Sequence, residues 1–381
     1  MIKLGEFFFT TLTFLVPCAF IYWVAANGWI AQWLRDVPEL GGGDLPPITF
    51  LRPLKRDAPR LEENIAHLVR AMRDGDQLVF GVDPGSEAAL RCAEMRARFP
   101  ERDIVVVECA PGAALNPKIS KLVQMTPHAR LGHWILSDSE AMLDADFLGA
   151  FRREWVASGA DALTAGYRFT QLDTWPRQLD AAATLLTLWP GLAVVRIFGR
   201  VRLTLGACTA FRRADIESIG GWAAFADELA EDNRLGVALA AAGRVVRLSA
   251  HVVTLASDAL TWRDYWRHQR RVAVTYRAAN PAGFAASILT HGLPLSLLAL
   301  IVAHAIGPDR GAVLFFTAWT MRWATARATA RMLDFPIPRL VCVVLLASFV
   351  ETACWFASWF CGRVWWGGRW WWVNARGKLR A

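Results

Sequence analysis

The sequence predicts an α/β core held between apolar segments long enough to cross a membrane. Three observations carry this. From residue 48, β-branched runs alternate with stretches of helical spacing. Residues 7–26, "FFFTTLTFLVPCAFIYWVAA", carry no charge, and about 20 such residues span a bilayer as a helix. From residue 285 long apolar runs return. The 381 residues suffice for a full catalytic core with attachments. Hydrophobic residues make up 54% and there are 19 Trp, values above a soluble average that point to a membrane protein.

Taken in order, the first apolar run is long for a cleaved signal peptide, and "MIKLGE" before it has one Lys and an acid. An uncleaved anchor is expected. "PELGGGDLPP" reads as a linker, since Gly and Pro block regular structure. "ITFLRPL" is strand-like, and "RLEENIAHLVRAM" places Leu61, Ile65, Leu68 and Met72 on one helical face. "DQLVFGVD" (strand), "SEAALRCAEMRARF" (helix), "DIVVVECA" and "HWILSD" (strands) follow. Such alternation implies a mostly parallel sheet covered on both faces, with ligands at the carboxyl ends of its strands. Asp83 and Asp138 lie at such ends.

"LLTLWPGLAVVRIF", residues 185–198, is interrupted at Trp189-Pro190-Gly191 and is too short to span. It reads as an interfacial segment or a buried core helix. "AASILTHGLPLSLLALIVAHAIG" and "RLVCVVLLASFVETACWFASWF" are expected spans, the second with Glu351 inside it. "GAVLFFTAWTMRWATARATARML" carries Arg322, Arg327 and Arg331 in its second half. The tail from Cys361 interleaves Trp with Arg363, Arg369, Arg376, Lys378 and Arg380, which suits the cytoplasmic headgroup level. A cytoplasmic core and tail need an even number of crossings, so residues 311–332 are expected not to cross fully.

The net charge of +8 fits an anionic lipid surface better than nucleic acid in so apolar a chain. The seven Cys show no CxxC and no Cys/His ligand spacing, so neither zinc nor a disulfide framework is expected. GxxxxGK[ST] and GxGxxG are absent, which removes support for ATP hydrolysis and dinucleotide chemistry.

Two acidic stretches remain. "LSDSEAMLDADFL" gathers Asp138, Glu140, Asp144 and Asp146, and "FADELAEDNRLG" gathers Asp227, Glu228, Glu231 and Asp232. The bland readings are a solvated loop with capping acids and an acid-rich first helical turn. The functional reading is a site for a metal and a phosphate-bearing substrate. "LNPKISKL" adds Lys118 and Lys121, point charges suited to a diphosphate beside carboxylate-bound Mg²⁺ or Mn²⁺.

"LRPLKRDAPRLEENI", "LNPKISKL", "WILSDSEAML", "LGACTAFRRADI", "GGWAAFADELAEDNRLG" and "YWRHQRRVAVTYRAANPAGF" occur in this order. In order and spacing they resemble the ceramide glucosyltransferases and the related bacterial hopanoid-associated glycosyltransferases, over essentially the whole chain. The resemblance implies an A-type glycosyltransferase fold, Rossmann-like with a mostly parallel mixed sheet. It implies an inverting hexosyltransferase that moves glucose or N-acetylglucosamine from a UDP-sugar to a lipid hydroxyl, of ceramide or a hopanoid, with a divalent metal. Asp83 then reads the nucleoside, with Glu87 a competitor. Asn116 and Lys118 lie near the donor, Asp138 and Glu140 hold the metal, and Asp232 beside Glu231 is the general base. His268 and Arg271 stand in the element that cups donor diphosphate and acceptor.

The departures are local. Glu140 stands where relatives have Asp or Gly, Lys121 where they have Asn, Asn233 for Tyr and Val272 for Trp. A processive polysaccharide synthase needs more spans and an intact Trp in the last motif; a non-catalytic lipid-binding relative is the other alternative. The implied plan is an anchor at 1–30, a linker at 31–47, a cytoplasmic glycosyltransferase domain at 48–284 with 185–205 against the bilayer, membrane helices at 285–361 and a cytoplasmic tail at 362–381. A bacterial inner membrane is the expected location.

Overall fold

The computed structural model describes residues 2–37, 46–56, 60–257, 261–304 and 308–380. Residues 38–45 of the expected linker therefore lie outside the described residues. In chain order the elements begin α1 (Ile2–Arg35), β1 (Thr49–Pro53), α2 (Leu61–Ala71), β2 (Gln77–Val82), α3 (Glu87–Arg98), β3 (Asp103–Glu108), α4 (Pro117–Met125) and β4 (His133–Ser137). Next come β5 (Ala141–Met142), α5 (Ala145–Ser158), β6 (Ala162–Thr170), α6 (Trp175–Ala183), α7 (Trp189–Phe198), β7 (Cys208–Arg212), α8 (Arg213–Ser218), α9 (Glu231–Ala241) and β8 (Val246–Ala256). The rest are α10 (Trp262–Ala279), α11 (Pro281–Ala286), α12 (Gly292–His304), α13 (Pro308–Met332), α14 (Leu340–Phe360), β9 (Arg363–Trp366), β10 (Arg369–Val373) and β11 (Leu379–Arg380).

These elements form two compact units. A sheet unit holds residues 34–171, 199–258 and 373–381; a helical unit holds 1–33, 172–198 and 259–372. In the sheet unit eight strands run in the order β3-β2-β1-β4-β7-β6-β8-β5. β1 lies parallel to β2 and β4, β2 to β3, and β6 to β8. β7 runs antiparallel between β4 and β6, and β5 antiparallel to β8. β1 and β2 are buried along their whole length, as strands of a sheet covered on both faces should be. Trp134, Phe211 and Trp222 stack edge to face in the core, with ring centroids 6.3 and 5.7 Å apart.

Two buried polar ties shape the end of the sheet where ligands are expected. Arg52, fully buried in β1, donates to the carbonyls of Ser139 and Ala141, fixing the loop after β4. Burial brings its guanidinium down to about 10. Asp76 ion-pairs with buried Arg152 and accepts the Ile48 N–H at 3.0 Å, fixing the entry to β1. α9 approaches the chain at Leu203–Thr204 so closely that only Gly236 fits: an added Cβ would overlap the backbone of both residues.

Among the described residues three helical runs are long and apolar enough to cross a membrane by length and composition: Gly5–Arg35, Trp175–Phe198 and Leu340–Phe360. α1 runs past the expected end of the anchor at residue 30. The reading of 185–198 as too short is corrected, because the helical run starts ten residues earlier and passes through a π-helical turn at Thr184–Leu188. Its polar start, with Arg177, Gln178 and Asp180, hid that extension from an apolar-run count. Of the two readings left open for this segment, interfacial or buried, the packing of Trp189 supports the buried one. Trp189 is fully buried, 5.1 Å from the Trp33 ring, so the helix packs inside its unit. The span expected from residue 285 takes the form of a pair, Pro281–Thr290 and Gly292–His304, bent by 55°, which is long and apolar enough to cross only if the two count as one span. The basic tail begins as a hairpin of β9 and β10, turned at Gly367 and Gly368, both at positive φ.

Gly236→Ala is expected to destabilise the sheet unit by about 1–3 kcal/mol or more, because a rigid backbone cannot yield to the new methyl. Thermal unfolding of purified protein reads this as a lowered midpoint; an unchanged midpoint would show that the strap at 203–204 is free to move.

Candidate active site

The site is built from the carboxyl end of β4 and the amino ends of α4 and α9. Asn116 caps α4, accepting the N–H groups of Lys118 at 2.8 Å and Ile119 at 3.1 Å, with Pro117 in the first turn. Its amide donates to the Glu228 carbonyl at 2.8 Å and to Glu231 Oε2 at 3.1 Å. This aims Lys118 inward. Its Nζ lies 2.7 Å from Asp138 Oδ1 and 3.1 Å from Glu231 Oε1. Burial disfavours the ammonium, but Asp138, Glu231 and Asp232 more than offset it and hold Lys118 well above the ordinary lysine range.

Asp232, in the first turn of α9, is half-buried. Oδ2 accepts the Gly206 N–H at 2.9 Å and Oδ1 the Asn233 N–H at 2.7 Å. The Thr204 hydroxyl donates to the Asp232 carbonyl at 2.6 Å, so residues 204–206 strap the helix start. Burial, then the Glu231 charge, push the Asp232 carboxyl up to about 6, against the pull of Lys118. Gly206 also touches the other carboxylate: a Cβ there would lie 2.8 Å from Asp138 Oδ2 and 3.1 Å from Lys118 Nζ.

The sequence reading named most of this cluster, and the structure brings Lys118, Asp138, Glu231 and Asp232 together. Asp83 sits beyond β2, 3.1 Å from Lys121 Nζ. Three residues are corrected. Asn116 is fully buried with its amide committed, so it positions Lys118 and Glu231 and cannot touch a donor. Glu140 is buried on Lys55 and accepts the Ser139 hydroxyl at 3.0 Å, so it does not share an open face with Asp138. His268, in the helical unit, has Nδ1 2.8 Å from buried Asp180, whose same oxygen accepts Gln269 Nε2 at 2.9 Å. That pair fastens α10 to α6 and leaves His268 Nδ1 unavailable to a ligand. Arg271 lies on α10, half-buried. Gly206 was missed; its only sequence signal was its place just before β7, inside "LGACTAF".

No group of three or more His, Cys, Asp or Glu side chains converges for a metal among the described residues. Asp138 alone of the expected pair fits a hard cation. Its side chain is about a third exposed, and Oδ2 has no hydrogen-bond partner among the described residues. A cation with one protein carboxylate and otherwise phosphate and water oxygens is ordinary for Mg²⁺.

Glycosyl transferase family 21 matches residues 9–379. The chain belongs to that family. This covers the sheet unit and nearly all of the helical one, so the chain is a glycosyltransferase, and the carboxylate–lysine cluster lies within the matched residues. The mannosyltransferase PcManGT of Pyrobaculum calidifontis, solved in complex with GDP-Man and Mn²⁺, aligns over 92% of this chain and 99% of its own, with a TM-score of 0.56 at 18% identity. That likeness shows the A-type glycosyltransferase fold. TarS 1–349 of S. aureus, solved with UDP-GlcNAc, covers 88% of this chain and 99% of its own at 12% identity, with a TM-score of 0.39, too loose to carry structural detail. No curated protein sequence matches the chain.

Gly206→Ala is expected to separate Asp138 from Lys118 and lower turnover about tenfold or more, since small misplacements at a reacting centre are costly. Steady-state rates at saturating donor decide it; a rate within twofold of wild type would mean that the pair does not contribute. A second expectation follows from Asp232. Unfolded, its carboxyl ionises near 3.8; folded, only near 6. The stability this carboxyl contributes is complete below the lower value and is lost as pH rises through the higher one. The unfolding midpoint of Asp232→Asn, relative to wild type, should therefore rise between about pH 4 and about pH 7. A difference that stays constant across that range would contradict a raised carboxyl.

Proposed function

We propose that this family 21 enzyme transfers glucose or N-acetylglucosamine from a UDP-sugar to a lipid hydroxyl, with Asp232 as general base. The observation that carries the reading is the Asp232 carboxylate, oriented by two backbone N–H groups and raised above the ordinary carboxylate range beside a half-buried lysine. A base is most effective with a pKa near the working pH. A lipid hydroxyl is a weak nucleophile; Asp232 takes its proton as the oxygen attacks the anomeric carbon, and the bond to the diphosphate breaks. Inversion follows from a single displacement.

The diphosphate leaves with growing negative charge, and Lys118 supplies a fixed cation for it, held charged by the three acids around it. Bound Mg²⁺ or Mn²⁺ would add charge neutralisation there, with Asp138 as its protein ligand. Asp83, half-exposed at the end of β2, is assigned to the nucleoside. Arg271 is assigned to phosphate on its motif alone. Ceramide and a hopanoid polyol are the leading acceptors, since both present a hydroxyl above an apolar body.

A lipid acceptor leaves the bilayer at about 0.8 kcal/mol per CH₂, so the enzyme must work at the membrane. Three helical runs of spanning length support that placement. The β9–β10 hairpin supports it as well. β9 begins three residues after α14 ends, and one face of the hairpin presents Arg363, Trp365, Trp370 and Trp372. Arg363 lies 5.0 Å from the Trp370 ring and Arg267 of α10 4.3 Å from that of Trp365. Trp with Arg at the end of an apolar helix suits headgroup level, and cations there favour the cytoplasmic side of a bacterial inner membrane. Residues 48–284 are assigned as the catalytic domain on this reading.

The decisive experiment combines lipids and kinetics. Mass spectrometry of lipids from cells expressing the wild type should show a hexosylated lipid that is missing with Asp232→Asn. Purified Asp232→Asn should bind UDP-sugar nearly normally and turn over about a hundredfold more slowly or worse. A rate within a few-fold of wild type would make Asp232 structural and move the base to Glu231 or Asp227.

A further inference from the structure

We infer that the segment Asn374–Arg380 is a positioning strap that holds the first turn of α9, and with it Glu231 and Asp232, in its working geometry. The inference rests on the catalytic reading of that turn given above. α9 starts without help from its own sequence: its N-cap residue is Ala230, with no side-chain cap, and the chain enters it irregularly. A helix start without a capping side chain is under-determined locally. Its direction is therefore set from outside, by residues 204–206 on one side and by the loop Asp227–Ala230 that leads into it.

That loop is held from outside by a short antiparallel pairing. The Leu379 N–H donates to the Asp227 carbonyl at 2.7 Å, and the Leu229 N–H donates to the Gly377 carbonyl at 3.1 Å. Between these rungs Glu228 and Lys378 form an isolated bridge. Lys378 Nζ lies 3.1 and 3.2 Å from the Asp227 carboxylate oxygens. That pair is exposed on both sides and adds little by itself. The backbone rungs and the buried Leu379 side chain carry the hold.

The strap is itself shaped by Asn374. Its Oδ1 accepts the N–H groups of Arg376 at 2.9 Å and Lys378 at 3.0 Å, and Gly377 supplies the left-handed turn at φ 84°. From the pairing, contacts run unbroken to the reacting end. Asn116 binds the Glu228 carbonyl and Glu231 Oε2, and Glu231 Oε1 meets Lys118 beside Asp138. A shift of the loop by a fraction of an ångström thus moves both the base and its lysine. These residues touch no reacting atom; they act through Glu231 and Asp232.

The test uses the full chain in detergent, with UDP-glucose as donor and ceramide as acceptor. Leu379→Pro removes the rung to Asp227; Asn374→Ala, at a half-exposed position, loosens the turn without threatening the fold. Both are expected to lower kcat about tenfold or more while KM for UDP-glucose stays within about threefold, as loss of orientation does. Both should also move the acid limb of kcat/KM to lower pH, because a freer first turn lets water reach Asp232. Leu379→Ile, which keeps the N–H and the apolar side chain, should restore wild-type kinetics. Wild-type kcat in Asn374→Ala overturns the inference. So does a fall in kcat that tracks the folded fraction with an unmoved pH profile. Asp232→Asn is the control: if it remains active the catalytic reading fails, whereas an inactive Asp232→Asn beside fully active strap variants sinks the strap alone.

Discussion

The sheet unit depends on one arrangement, the Lys118 ammonium held between Asp138 at the end of β4 and Glu231 at the start of α9. Three acids this close repel one another in low dielectric, and without a cation at least one would be protonated. Lys118 permits them to share a cleft. It is aimed there by Asn116, whose side chain serves at once as helix cap and as anchor for the loop before α9. Around this node the fold is under tight steric control. At Gly236 backbone passes so close that a methyl group has no room, and at Gly206 a methyl group would press on the Asp138 carboxylate and the Lys118 ammonium.

The second constraint is the cost of charge among apolar helices. In the helical unit two ionisable groups on the apolar helices, buried Arg322 and half-buried Glu351, both have polar partners. Buried Arg322 donates to the Leu186 carbonyl at 3.1 Å, in the π-helical turn, and stacks 4.7 Å from the Trp23 ring. Glu351 accepts the Thr187 hydroxyl from the same turn at 2.5 Å. A π-turn leaves carbonyls ill-matched along the helix, and here one of them finds an arginine. The same logic explains His268 and Gln269 on Asp180: a buried carboxylate needs donors, and α10 supplies two.

Much of the core was legible because it is local. Strand–helix alternation from residue 48 is a period change that needs no tertiary information, and carboxylates after β2 and β4 mark the ligand end of any such sheet. The two acidic stretches and "LNPKISKL" could be named, and family 21 membership agrees with the resemblance they carry. What stayed hidden was partner choice. Glu140 and Asp138 stand two residues apart, yet one is buried on Lys55 and the other faces Lys118, because the chain turns between them under the hold of Arg52. His268 sits in a motif that suggests ligand contact, yet Asp180, 88 residues away, claims it.

The sequence by itself determined the alternating core, the apolar runs and the acidic and basic residues available for chemistry, since these follow from spacing and composition along the chain. Tertiary structure alone decided which acids meet the lysine, that the run at 185–198 extends back to Trp175 and buries Trp189, and that the last described residues brace α9. The physical reason is that each of these depends on pairing across long sequence separations. A carboxylate's partner is set by whichever cation the fold brings within hydrogen-bond reach, and a backbone N–H is satisfied by whichever carbonyl arrives beside it.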